Sequence, residues 1–222
     1  MEKLPKIKIL YEDNHLLIIE KPINIPVQKD QTNDIDLITL LKEYRKEHEN
    51  KKGEAYLGLV HRLDRPVGGI MVFAKTSKAA SRLSEQIRTN NFHKTYLAVV
   101  EGTLEENGTY EDYLIKNQKE NKSYITSKDK GKFSKLEYHV LKTTNNLSLV
   151  RINLITGRSH QIRVQFSSRN HPLIGDSKYG NNKDNINIAL FAESITFTHP
   201  TTKEKITFKL NIPNKYPFNI FN

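Results

Sequence analysis

The sequence predicts an α+β fold built around a large mixed sheet. Two observations carry this. Strand-type runs follow one another in long blocks with short turn signals between them, and the segments of helical period stand apart instead of alternating with each strand. The length of 222 residues allows one domain of good size or two small ones. With no internal repeat and no long linker, a single domain over residues 1–222 is expected.

The elements follow in order. IKILYED (7–13) and LLIIE (16–20) read as a hairpin turning at Asn14-His15, ended by Lys21-Pro22 and Ile25-Pro26. Asp36 stands where it can cap a helix bearing Leu37, Leu40, Leu41 and Tyr44 on one face, which fades into the charged segment KEHENKKGE (46–54). LGLV (57–60) and IMVFA (70–74) read as buried strands on either side of HRLDRPVGG (61–69). Ser77 is expected to cap a second helix, with Ala80, Leu83 and Ile87 spaced by three or four. KTYLAVVEG (94–102) reads as a central strand. Residues 116–135 hold seven lysines against two acids and read as an exposed loop or loose hairpin. KLEYHVLKTT (135–144) and LSLVRINLIT (147–156) flank Asn145-Asn146, a hairpin signal. After Thr156-Gly157 the period turns helical, with Arg158, His160 and Arg163 in the first turns. ALFAESITFTHP (189–200) and KEKITFKL (203–210) form a weaker strand pair.

Composition removes whole classes of chemistry. The chain has no cysteine, which excludes disulfides, thiolate metal sites and cysteine nucleophiles and makes a reducing cytoplasm the expected setting. No apolar run approaches the ~18 residues of a membrane span, and the first residues lack a signal-peptide pattern. The histidines show no metal-ligand spacing, and no glycine-rich phosphate loop is present, so no metal or organic cofactor is implied. GRSHQ (157–161) carries Gln161 where a serine-hydrolase elbow needs glycine. The formal net charge of +10 suits a polyanion, most simply nucleic acid. A lysine-rich solubilising surface is the plainer reading of the same charge.

Three places carry chemistry. Asp64 lies between Arg62 and Arg65 at the mouth of two apolar runs, and a carboxylate there can serve as a covalent nucleophile or as a salt-bridged turn residue. The two arginines can keep it ionised or hold phosphates. TGRSHQIRV (156–164) offers Arg158, His160 and Arg163 near free backbone N–H groups, suited to a phosphate or a carboxylate, or simply a capped helix. Tyr96 is either core packing or a platform for a base. In GDSKYG (175–180) Asp176 is a possible second carboxylate, although turn chemistry explains it better.

Together YEDNHLLIIEKPINIPV (11–27), HRLDRPVGG, KTYLAVVEG, TGRSHQIRV and HPLIGDSKYG (171–180), in this order over residues 7–210, resemble the RluA-type pseudouridine synthases. The resemblance implies a mixed-sheet catalytic domain with a cleft across it. It implies that Asp64 is the family's catalytic aspartate, that Tyr96 packs against the target base and that Arg163 pairs with the aspartate. Arg62 is then expected to contact RNA near the flipped nucleotide, and Ile162 to help line the pocket. The partner implied is structured ribosomal or transfer RNA, and a monomer is the simplest expectation for the chain itself. The family often has Thr-Ser-Gly where this chain has Val67-Gly68-Gly69, so two hydroxyls are missing. Many relatives also begin with a small RNA-binding domain, which is not expected here because the likeness starts near residue 7. Two other classes compete: a non-catalytic RNA-binding or RNA-folding protein on the same fold, and a nucleoside or glycoside hydrolase using Asp64. The hydrolase would need a second carboxylate to activate water.

Overall fold

The structure, a computed structural model, describes residues 7–32, 34–49, 54–181 and 186–221. Its elements run β1 (Lys8–Glu12), β2 (Leu16–Lys21), α1 (Leu37–His48), β3 (Gly58–Leu59), β4 (Gly68–Ala74), α2 (Ser77–Arg88), β5 (His93–Glu101), β6 (Asn107–Asn117), β7 (Lys122–Thr126), β8 (Lys132–Thr144), β9 (Leu147–Leu154), α3 (Gln161–Ser167), β10 (Leu190–Thr198) and β11 (Lys205–Lys209). Blocks of strands with three separate α-helices among the described residues make this an α+β fold, as the sequence predicts. The chain forms two compact units, one of Met1–Phe92 with Ser194–Leu210 and one of His93–Glu193 with Asn211–Asn222.

In the first unit β2 pairs antiparallel with β1 and β4, and β3 pairs with β4. Asp13 makes the first hairpin turn by accepting the N–H groups of His15 and Leu16 at 2.7 and 2.6 Å. Residues 194–198 of β10 pair antiparallel with β11. Leu16, Ile18, Ile70, Val72, Ala79, Leu83, Phe92, Ile195 and Phe197 form one core cluster, in which the Phe92 and Phe197 rings stack at 5.1 Å. Burying such side chains is what holds the sheet to α2, at about 1.5–3 kcal/mol each. Asp36 caps α1 through the N–H of Thr39, as expected. The cap of α2 is Thr76, one residue before the predicted Ser77, because the Thr76 hydroxyl reaches the N–H of Ala79 and leaves Ser77 as the first helical residue. The predicted strand at 57–60 shrinks to β3, since only Gly58 and Leu59 meet partners on β4. Residues 50–53 of the predicted charged segment lie outside the described residues.

In the second unit the order is β5-β9-β8-β6-β7, all antiparallel. The Asn145-Asn146 hairpin forms as expected, with both residues at positive φ (48° and 57°), the backbone a two-residue turn requires. Residues 116–135, expected as a loop or loose hairpin, are mostly strand: the end of β6, all of β7 and the start of β8, joined by short turns. Hydrophobicity alone hides these strands because their outer face mixes lysines with exposed apolar and aromatic residues, which blurs the alternation. Their inner face packs on α3, where Tyr110, Tyr138 and Phe166 meet with ring centroids 5.0–5.5 Å apart.

Candidate active site

In the first unit, Asp64 begins a tight turn in which its carbonyl accepts the N–H of Val67 at 3.0 Å. Beneath this turn lies Lys21, only 1% exposed. Its ammonium donates to the carbonyls of Pro22, Arg65 and Val67 at 2.9, 3.0 and 2.8 Å, which uses all three of its donors. Burial lowers its pKa to about 7, the Asp64 charge pulls it back up and Arg65 pushes it down. Lys21 thus fastens the end of β2 to the turn and sets a positive charge under the aspartate, whose side chain is partly exposed. The Val67-Gly68 pair lies inward: Val67 is 2% exposed, and a Cβ on Gly68 would stand 3.1 Å from Ile23 and 3.2 Å from the Lys21 carbonyl. Gly69 has φ 120°, a backbone that suits glycine alone.

In the second unit, Arg163 on α3 is 3% exposed and grips Asp176 in a two-point ion pair, Nε to Oδ2 at 2.8 Å and Nη2 to Oδ1 at 2.7 Å. Asp176 also accepts the N–H groups of Lys178 and Tyr179 at 2.9 and 3.1 Å. Burial alone would raise its pKa, but Arg163 and the two N–H groups outweigh it and hold the carboxyl below its ordinary value. Asp176 is therefore both the turn residue foreseen and a buried counter-charge. The Tyr179 ring faces the Arg163 guanidinium at 5.2 Å and the Lys122 ammonium at 5.0 Å. Its hydroxyl accepts the N–H of Ser123 at 2.6 Å and meets His160 Nδ1 at 2.8 Å. One tyrosine thus ties β7, the turn before α3 and Arg163 together.

A family model described as RNA pseudouridylate synthase matches residues 15–168. The chain belongs to the RNA pseudouridylate synthase family. That family's reaction class is the isomerisation of uridine in RNA. A ribosomal large subunit pseudouridine synthase C from Buchnera aphidicola is 35% identical over 221 residues, 95% of this chain and 68% of the relative. The synthase C of Haemophilus influenzae is 33% identical over 94% of this chain and 66% of its own length. The synthase D of Zymomonas mobilis is 31% identical over 93% of this chain and 69% of its own. The chain thus spans about two thirds of these relatives. Among solved structures, human RNA pseudouridylate synthase domain containing 4 shares the fold, with a TM-score of 0.78 over 93% of this chain and 88% of that one, at 24% identity.

The remaining residues singled out for this family site are held as follows. Arg62 is exposed and donates to Gln28 Oε1 at 3.2 Å. Arg65 is turned to the segment before α1, where it donates to the Asn24 carbonyl and Thr32 Oγ1 and pairs with Asp30 and Asp34. Tyr96 is 7% exposed on β5, opposite Ile152 of β9, and Ile162 is 4% exposed on α3. Arg158 and His160 lie before α3 and not in its first turns. The helix starts only at Gln161 because His160 takes a left-handed φ of 53°. The Gln161 side chain closes the turn by accepting from Thr156 Oγ1 at 2.7 Å and the Arg158 N–H at 3.0 Å. Arg158 Nε donates to the Phe133 carbonyl at 3.0 Å.

Sequence reasoning missed Lys21, Tyr179 and Lys94. Lys21 closes a strand of apolar residues and shares the face of Ile19 by alternation, a signal that it points inward. Lys94 is 9% exposed, and its ammonium lies 3.1 Å from where a Gly157 side chain would begin. Burial lowers its pKa, and it has no hydrogen bond or ion pair among the described residues. Among the described residues no cluster of His, Asp and Glu is arranged to hold a metal, and no helix is long and apolar enough to cross a membrane.

Proposed function

We propose that this chain converts specific uridines of a structured RNA, ribosomal or transfer, to pseudouridine, with Asp64 as the essential group. The observation that carries this reading is the clamped Asp64 turn within the family-matched segment. A partly exposed carboxylate stands on a turn fixed from below by three hydrogen bonds from a buried ammonium. A group held this firmly is suited to meet one atom of a substrate in one geometry. Names of the relatives point to large-subunit ribosomal RNA as the first place to look.

In the reaction the bond between ribose C1′ and uracil N1 breaks, the freed base turns, and C1′ bonds to C5. The C5 proton departs and N1 gains one, so the product is an isomer and no water is consumed. Such a reaction needs one carboxylate, a partner to hold it and a wall that keeps the base in place. On the family resemblance Asp64 is the carboxylate, Tyr96 with Ile162 the wall, and Arg163, itself held by Asp176, the cation assigned to the aspartate. Arg62 contacts RNA near the flipped nucleotide, while Arg158 and His160 approach the backbone from the turn before α3. Arg65 acts through its hold on the 24–34 segment. Taking a uridine out of its stack costs roughly a few kcal/mol, which phosphate contacts by lysine and arginine offset.

A pseudouridine map of cellular RNA, with and without the protein and with Asp64→Asn as the rescue control, tests the proposal. A site lost in its absence and restored only by the parent chain supports it. Rescue by Asp64→Asn would remove the aspartate from the chemistry. Release of free uracil would select the hydrolase, and RNA binding without any isomerisation would select the binding protein.

A further inference from the structure

The outer face of β6, β7 and the start of β8 combines features that the uridine chemistry does not use. Alternation along these strands puts Tyr113, Ile115, Lys122, Tyr124 and Phe133 on one face, while Leu114, Ser123, Ser134 and Leu136 point to the other and are buried. The register places Ile115 opposite Tyr124 and Tyr113 opposite Phe133. Ile115, Tyr124 and Phe133 are 44%, 40% and 41% exposed, unusual for such side chains in one patch. Phe133 meets Tyr113 edge-on at 5.8 Å, and the Lys122 ammonium lies 5.8 Å from the Tyr124 ring.

The charge around this face is strongly one-sided. Of the seven lysines in residues 116–135, Lys122 and Lys135 share this face and Lys119, Lys128 and Lys130 lie in the adjoining turns, while Lys116 and Lys132 fall on the other face; the acids of the segment are Glu120 and Asp129. Glu120 accepts the Tyr124 hydroxyl, and Glu111, on the same face, is paired with Lys135 at 2.9 Å. Exposed rings interleaved with lysines are what a single-stranded nucleic acid needs: planes on which bases stack and ammonium groups for its phosphates. A protein partner would gain little from so many like charges. The patch is also joined to the candidate site within its own unit. Ser123 Oγ donates to the Ser159 carbonyl at 2.7 Å and Arg158 Nε to the Phe133 carbonyl, so the turn leading to Arg163 is fastened to these strands.

We infer that this face binds an unpaired stretch of the RNA that carries the target uridine, with bases stacked on Tyr124 and Phe133. The inference rests on the reading that the chain acts on RNA, and it extends that reading to the kind of RNA segment held beside the site.

The probe is a single-stranded uridine dodecamer with the full chain. Because the chain has no tryptophan, Phe133→Trp is a unique reporter, and its fluorescence is expected to be quenched when the dodecamer binds. Tyr124→Ser and Phe133→Ser are each expected to weaken binding about five- to a hundred-fold with little change in salt slope. Lys122→Gln is expected to lower the slope of log affinity against log salt by about 0.7. Unquenched tryptophan, unchanged affinity in both serine variants, or equal quenching by the same strand in a duplex would overturn the inference. So would concentration-dependent dimerisation relieved by Tyr124→Ser, since the face would then belong to a second copy. Quenching in a protein that makes no pseudouridine would fault the catalytic reading and leave this surface standing.

Discussion

Replacing Asp176 with asparagine keeps the shape of the side chain and removes its charge. Oδ1 takes Arg163 Nη2 and two backbone N–H groups, while Oδ2 takes Arg163 Nε. If the amide keeps its oxygen at the Oδ1 position, its NH₂ faces the Arg163 N–H, donor against donor. If it flips, two backbone donors and Nη2 lose their acceptor. Side-chain exposures of 4% for Arg163 and 0% for Asp176 leave no room for water to repair either arrangement. Breaking one side of a buried ion pair costs about 3–5 kcal/mol. With a urea dependence near 3 kcal/mol/M for a chain of this size, the unfolding midpoint should fall by roughly 1 M or more. The acid limb should change as well. Because the folded carboxyl is held below 3.8, its contribution is complete above that pH and is lost as pH falls through the depressed value. Asp176→Asn should therefore unfold with a shallower acid limb. The double variant Arg163→Met with Asp176→Leu should recover most of the stability while turnover stays lost. A loss below about 1 kcal/mol, or an unchanged acid limb, would refute the argument.

Other perturbations test neighbouring parts. Lys21→Met strips three carbonyls of their donor and should cost about 2–3 kcal/mol, with faster hydrogen exchange at the Val67 N–H; unchanged protection there would show that the turn holds itself. Lys94→Met removes a buried ammonium that has no counter-charge among the described residues and should raise stability at neutral pH. Its lowered pKa means that the parent gains stability as pH rises toward 10.5, so the two pH curves should converge there; a destabilised variant would show that Lys94 has a structural partner. Gly102→Ala should cost about 1–3 kcal/mol, because φ is +86° and the new Cβ would stand 2.8 Å from His171 Nδ1; an unchanged Tm would count against strain at this turn.

Much of the fold was legible in the sequence because its signals are local. The Asn145-Asn146 turn, the Asp36 cap and the buried run of β4 each follow from neighbouring residues. The strands of 116–135 were not legible, since a face that carries lysine and tyrosine outward gives no clean apolar alternation. The start of α3 was misplaced because a positive φ at His160 is imposed by its surroundings and not announced by its own preference. At the site, Asp64 stands out by its neighbours in the chain. The partnership of Arg163 with Asp176 spans 13 residues, and the service of Lys21 to the Asp64 turn spans more than 40. Nothing in either local sequence carries the address of its partner.

The first unit takes its last core residues, Ile195 and Phe197, from a segment that follows 101 residues of the second unit. During synthesis, Leu16, Ile18, Ile70 and Val72 leave the ribosome long before the strand that covers them. At about 5–20 residues per second the wait lasts roughly 5–20 s. The second unit, by contrast, has nearly all of its chain in one stretch and can pair its strands as they emerge. The nascent protein is thus expected to finish its middle before its beginning, and its early apolar strands are the part that needs shelter while the ribosome is still at work.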